Sequence, residues 1–162
     1  MPLSDAQRQL VRGFRDALET ALADDARFRD ATREDRPDES TLATRWQAAD
    51  RVWFEIALRP LIPQVRVAVL TDDRWRSEDW EEKIEESGDS MNEFIGMGMH
   101  DAGLDWEEPP VEHYRADLKY FYFTTPLELS RLDDLADPAT RDRIRRMFDG
   151  YYNAFSEHLG GE

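Results

Sequence analysis

The sequence predicts an α+β fold: a single helix-rich domain with a small β-sheet, a mostly α domain being the alternative. Three observations carry this. Several segments repeat apolar residues at helical spacing and begin with capping residues. Gln64–Thr71, QVRVAVLT, is a valine-rich run of strand length. Lys119–Phe123, KYFYF, is a second run dense in β-favouring aromatics.

In chain order, Ser4-Asp5-Ala6-Gln7 has the S-x-x-Q form of a capping box, in which serine and glutamine each cap a backbone amide. Leu10, Val11, Phe14, Leu18 and Leu22 come next on one stripe, so a helix is expected over about 5–24. REDRPDES, 33–40, is polar, contains Pro37 and reads as a loop.

The next segment is two-valued. Leu42, Trp46, Ala49, Trp53 and Ile56 are spaced as on a helix, whereas Val52, Phe54, Ile56 and Leu58 alternate as on a strand. The longer pattern favours a helix over 41–58, and the strand alternative would form a hairpin with the succeeding strand. Pro60 and Pro63 interrupt either element. The strand at 64–71 comes next.

Ser77 is read as the N-cap of an acidic helix, EDWEEKIEE, with Glu78, Asp79, Glu81 and Glu82 near its positive end. Ser87-Gly88-Asp89 interrupts it. Ser90-Met91-Asn92-Glu93 is a second capping box, starting a helix over 91–102 that places Phe94, Ile95, Gly98 and Met99 on one face. Gly103 fits the position after this helix, where a left-handed backbone is needed. Gly98 on the apolar stripe suggests a close backbone approach.

LDWEEPPVE, 104–112, reads as a loop. The stretch 114–125 is two-valued again, a strand near 117–124 being favoured. Asp137-Pro138 starts a last helix as N-cap and first-turn proline. Its stripe is Ile144, Met147, Phe148, Tyr151, Phe155 and Leu159, with Gly150 expected to loosen it and Gly160-Gly161 to end it.

At 162 residues the chain is long enough for an ordinary core. It has no cysteine, which excludes disulfides and thiolate chemistry. It has no apolar run of membrane length and no signal-like N-terminus, so a cytoplasmic, soluble protein is expected, with no membrane partner. Net charge is −15, against the clustered cations that nucleic acid requires, so no nucleic-acid partner is expected. The charge is concentrated: residues 72–112 hold 15 acids and 3 bases, whereas 1–71 hold 12 and 11.

No catalytic or nucleotide motif is complete. GMGMHDAG, 96–103, has Asp101 where G-x-G-x-x-G needs glycine, and neither a P-loop nor G-x-S-x-G occurs. Two function classes remain. The first is a noncatalytic protein-binding, adaptor or chaperone-like module. It would use the acidic, tryptophan-bearing segment 72–112, with Trp75, Trp80, Glu81, Glu82, Glu85, Glu86 and Trp106, toward a basic or amphipathic protein partner. Small acidic secretion chaperones are similar in size and acidity and also mix helices with a sheet, an analogy that no motif supports. The second is an enzyme dependent on a divalent metal, bound by His100, Asp101, Glu112 and His113. Imidazole and carboxylate are suitable ligands there, although no H-E-x-x-H spacing is present. On the first reading no cofactor is needed. Oligomeric state is not encoded in any pattern found.

Overall fold

The computed structural model describes residues 2–159. Helix α1 spans Asp5–Leu22, with both bonds of the Ser4–Gln7 capping box formed. Four strands come after it as successive hairpins: β1 (Arg29–Asp35), β2 (Leu42–Ala49), β3 (Val52–Arg59) and β4 (Gln64–Thr71). Helices α2 (Arg74–Ser87) and α3 (Met91–Asp101) come next. Then come β5 (Glu112–Ala116), β6 (Tyr120–Glu128), a 3-10 turn at Leu132–Ala136 and helix α4 (Pro138–Phe155). The fold is α+β, and all six strands join one antiparallel sheet in the order β1-β2-β3-β4-β6-β5.

The sheet is larger than the sequence predicts, because residues 41–58 form β2 and β3 rather than a helix. A two-residue turn, Asp50-Arg51, joins them, with Arg51 in the left-handed region at φ 60°. The helical spacing of Leu42, Trp46, Ala49, Trp53 and Ile56 is coincidental. Pairing β3 with the valine strand β4 as well as with β2 gives this apolar strand a hydrogen-bonding neighbour along both edges. Strand β1 lies partly in the segment expected to be a loop. Its residues are all exposed, so no apolar alternation marks it.

One face of the sheet holds Trp46, Phe54, Ile56, Val67, Val69 and Phe123, and all four helices pack on it in one continuous core. Helix α4 supplies Ile144, Met147, Phe148, Tyr151 and Phe155 to this core, all fully buried. Asp137 accepts a hydrogen bond from the Ala139 amide at 3.0 Å, with Pro138 in the first turn. The predicted stop at Gly160-Gly161 lies outside the described residues.

Gly150 does not loosen α4. It sits mid-helix, buried where α3 crosses, and a Cβ there would lie 2.6 Å from Met99 Cγ. Reciprocally, a Cβ on Gly98 would collide with the Gly150 carbonyl and lie 3.0 Å from Ala154 Cβ. The two glycines let the helix backbones touch. Helix α3 ends as its sequence predicts: Gly103 has φ 87°, its amide donates to the His100 carbonyl, and the Leu104 amide donates to the Met99 carbonyl, both at 2.9 Å. Among the described residues no helix is long and apolar enough to cross a membrane.

Candidate functional site

The acidic segment divides into an outer face and an inner anchor. Helix α2 starts one turn earlier than expected, because Asp73, not Ser77, is its N-cap. Asp73 accepts from the Trp75 amide at 3.0 Å, while its own amide donates to Thr71 Oγ1 at 3.1 Å. Ser77, Trp80 and Ile84 then face the core. Trp80 is therefore not a surface anchor. It is fully buried, packs on Phe123 and Phe155, and its indole N–H donates to the His158 carbonyl at 2.8 Å. Trp75 is 77% exposed. Glu81, Glu82, Glu85 and Glu86 are all exposed on the outer side of α2. Glu81 contacts His113 Nε2 at 3.0 Å, and Glu86 lies 3.8 Å from Lys83.

Beyond α2, the exposed side of α3 and the loop after it enclose a groove of about 400 Å³. Asp89, Glu93, Asp101, Asp105, Glu107 and Glu108 line it, with Met97 and Trp106 supplying its apolar surface. The loop fits closely: a Cβ on Gly96 would collide with the Glu107 carbonyl, and Asn92 Nδ2 donates to the Pro109 carbonyl at 2.9 Å. Trp106 is half-buried against the core, with the Arg143 guanidinium 4.8 Å from its ring centroid. Met97 is 61% exposed.

The four residues expected as metal ligands are not brought together. His100 Nδ1 lies 2.9 Å from Asp105 Oδ1 at the end of α3. His113 stands on β5, stacked on Phe123 at 3.9 Å, with Nδ1 2.8 Å from the Tyr122 carbonyl. Glu112 accepts from Arg66 Nη1 at 2.9 Å. Asp101 is exposed in the last turn of α3 and lines the groove. Among the described residues no three His, Asp or Glu side chains converge as a metal-binding group would require.

A second feature has no counterpart in the sequence patterns. The sheet face opposite the helices carries a cavity of about 620 Å³. Sheet twist raises two diagonally opposite corners over this face: the β1–β2 turn and the β5–β6 turn meet where Arg36 Nη2 lies 3.4 Å from Asp117 Oδ1. At the centre of the floor, Arg45 Nε donates to Glu55 Oε2 and Arg45 Nη2 to the Tyr122 hydroxyl, both at 2.7 Å. The Tyr122 hydroxyl donates to Glu55 at 3.1 Å. Burial pushes the Glu55 carboxyl above its ordinary range, and Arg45 and Tyr122 hold it back. Burial raises the Tyr122 phenol further, with the Glu55 charge adding to the effect. A two-strand reading of 41–58 would mark Arg45 and Glu55, continued by Arg59, as a polar face opposite the apolar one.

Comparison with protein families, curated proteins and solved structures yields no match.

Proposed function

We propose that this protein is a noncatalytic binding module whose groove along α3 takes a basic, amphipathic segment of a partner protein. The supporting observation is the groove's make-up: six carboxylates around Met97 and Trp106, with His100 the one basic-type side chain in the lining. Six carboxylates lining one groove sum to a negative field, and a cationic segment complements it on arrival. The apolar side chains at the centre supply attraction that salt does not screen. The acids of α2, Glu81, Glu82, Glu85 and Glu86, extend the same field toward an approaching partner. They lie outside the groove lining, so they act on encounter more than on the bound state.

The test is titration with a synthetic helix carrying arginine on one face and leucine on the other, at low and at high salt. Lysine substitutions at Glu93, Asp105 and Glu108 should weaken binding at least about tenfold and flatten its salt dependence. Met97→Ser should weaken binding with the salt dependence kept. Reversals at Glu81, Glu82, Glu85 and Glu86 should mainly slow association. If groove and α2 reversals weaken binding equally, and Met97→Ser has no effect, the peptide is held by bulk charge and the proposal is wrong.

A further inference from the structure

The helix-free face of the sheet has the features of a small-molecule site, separate from the acidic groove. Its cavity of about 620 Å³ lies in the range that holds small ligands. The depth has an identifiable origin. Ala43 and Ala57 are directly paired across β2 and β3 and both line the cavity, so two short side chains face out where their neighbours are long. The sheet itself is the floor, and it is fully hydrogen-bonded on both sides of β3.

The cationic side of the cavity is incompletely neutralised. Four arginines line it in a chain of net charge −15. Arg45 is engaged by Glu55, Arg36 by Asp117, and Arg66 by Glu112 through one nitrogen. Arg59 contacts no carboxylate among the described residues. Instead, Arg59 Nη1 and Arg66 Nε both donate to Gln64 Oε1, at 3.3 and 2.9 Å. Gln64 Nε2 donates to Glu128 at 2.5 Å, which fixes the amide oxygen toward the two guanidiniums. Two cations thus converge on one neutral oxygen, an arrangement that an anion reaching them from the cavity would stabilise.

Beside the alanine floor stand the tyrosines of β5 and β6. The Tyr114 and Tyr122 rings stack with centroids 5.2 Å apart and planes 4° from parallel. We infer that this cavity binds a small planar carboxylate: the carboxylate meets the Arg59 and Arg66 guanidiniums where they line the cavity, and the flat body lies over Ala43 and Ala57 against the tyrosines. Charge selects a monoanion. Five acids share the lining with the four arginines, and one of them, Asp35, gives both carboxylate oxygens to Arg15 on the helix side, so acids and arginines facing the cavity balance and the surplus of cation is local. A doubly charged phosphate would meet more repulsion than a monoanion from Glu34, which has no ion-pair partner among the described residues, and from the Glu112 carboxylate beside Arg66.

The test uses the full chain and three probes: 1-naphthoate, the neutral 1-naphthalenemethanol, and inorganic phosphate, each followed by calorimetry. Naphthoate should bind once per chain, the alcohol at least about tenfold more weakly, and phosphate should not compete at equal concentration. Arg59→Gln should weaken naphthoate about tenfold or more. Ala57→Val, which suits a strand and fills the floor, should do the same with the circular dichroism spectrum unchanged. Met97→Ser, in the acidic groove, should leave naphthoate binding as it was, so this result and the peptide result stand or fall separately. The inference is overturned by absence of saturable naphthoate binding, by equal binding of the alcohol, by full competition from phosphate, or by wild-type affinity in both cavity variants.

Discussion

Replacing glycine by alanine at two helical positions should have opposite effects. Gly13 lies in α1, is exposed, and a Cβ there would meet nothing within 4 Å. Gly13→Ala should therefore gain the usual propensity advantage, about 0.5–1 kcal/mol. Gly98→Ala gains the same propensity but places its methyl group against the backbone of α4. It would overlap the Gly150 carbonyl and sit 3.0 Å from both the Ala154 nitrogen and its Cβ. None of these is the end of a flexible side chain, so the helices themselves must separate. Asn153 Nδ2, which donates to the Gly98 carbonyl at 3.2 Å, would lose its geometry as they do. Overpacking costs about 1–3 kcal/mol, and a clash against backbone belongs in the upper part of that range, about 2–3 kcal/mol. After the propensity gain, a net loss of about 1–2 kcal/mol remains. For a chain of this size that lowers Tm by roughly 2–8 °C, while Gly13→Ala raises it by roughly 1–4 °C. Urea and thermal unfolding of the two variants and of the double variant measure this, and the double should be additive because the sites share no contact. A Gly98→Ala protein as stable as wild type would refute the tight crossing of α3 and α4.

Trp80→Phe should cost about 1–3 kcal/mol, through lost volume and an orphaned His158 carbonyl, whereas Trp75→Phe should stay within about 0.5 kcal/mol; denaturation curves decide. Acrylamide quenching should fall on removing Trp75 and rise, per remaining indole, on removing Trp80. The Glu55 carboxyl has a folded pKa above its ordinary 4.5, so the folded state holds that proton more tightly than the unfolded state does. Its contribution to stability is therefore full below about pH 4.5 and declines as pH rises through the folded value. Glu55→Gln removes the titration, so stability of the variant minus that of wild type should increase with pH above about 4.5. A difference that is flat, or that falls with pH, would show that Arg45 outweighs burial at this site.

Most helix ends are legible in local sequence signals. Ser4, Ser90 and Asp137 cap as their motifs require, Gly88 breaks the chain between α2 and α3 at φ 83°, and Gly103 closes α3. These are short-range hydrogen-bonding rules, and they act within four or five residues. Strand β4 is equally plain, since eight residues with alternating valine admit little else. Residues 41–58 mislead because two apolar patterns overlap there, a helical one over Leu42, Trp46, Ala49, Trp53 and Ile56 and an alternating one over Val52, Phe54, Ile56 and Leu58, and no Gly or Asn marks the Asp50-Arg51 turn. The deciding fact, that β4 lies beside β3 to pair with it, is tertiary.

The acidic helix conceals Ser77, Trp80 and Ile84, a stripe at spacing 3 and 4 that its charge density overshadows. Asp73 is hard to recognise as a cap because Ser77 offers the more familiar residue four places later. The cavity is invisible in sequence order. Ala43, Ala57, Arg59 and Arg66 belong to three strands, and only the register that sets Ala43 against Ala57 and Ala57 against Arg66 places them on one floor.

The outermost strand, β1, also constrains how other molecules can approach. Five of the seven residues in RDATRED are charged, the pairing with β2 shifts between Arg29 and Thr32, and Asp30 adopts φ 54°. A neighbouring chain laying its backbone along this rim would meet alternating charge and a ladder out of step. The opposite rim, β5, offers only five residues. Neither border is a good template for an added strand, so the sheet is poorly suited to growing into fibrils or capturing an extended peptide by main-chain pairing. A molecule with such borders can meet others only through side chains on its faces.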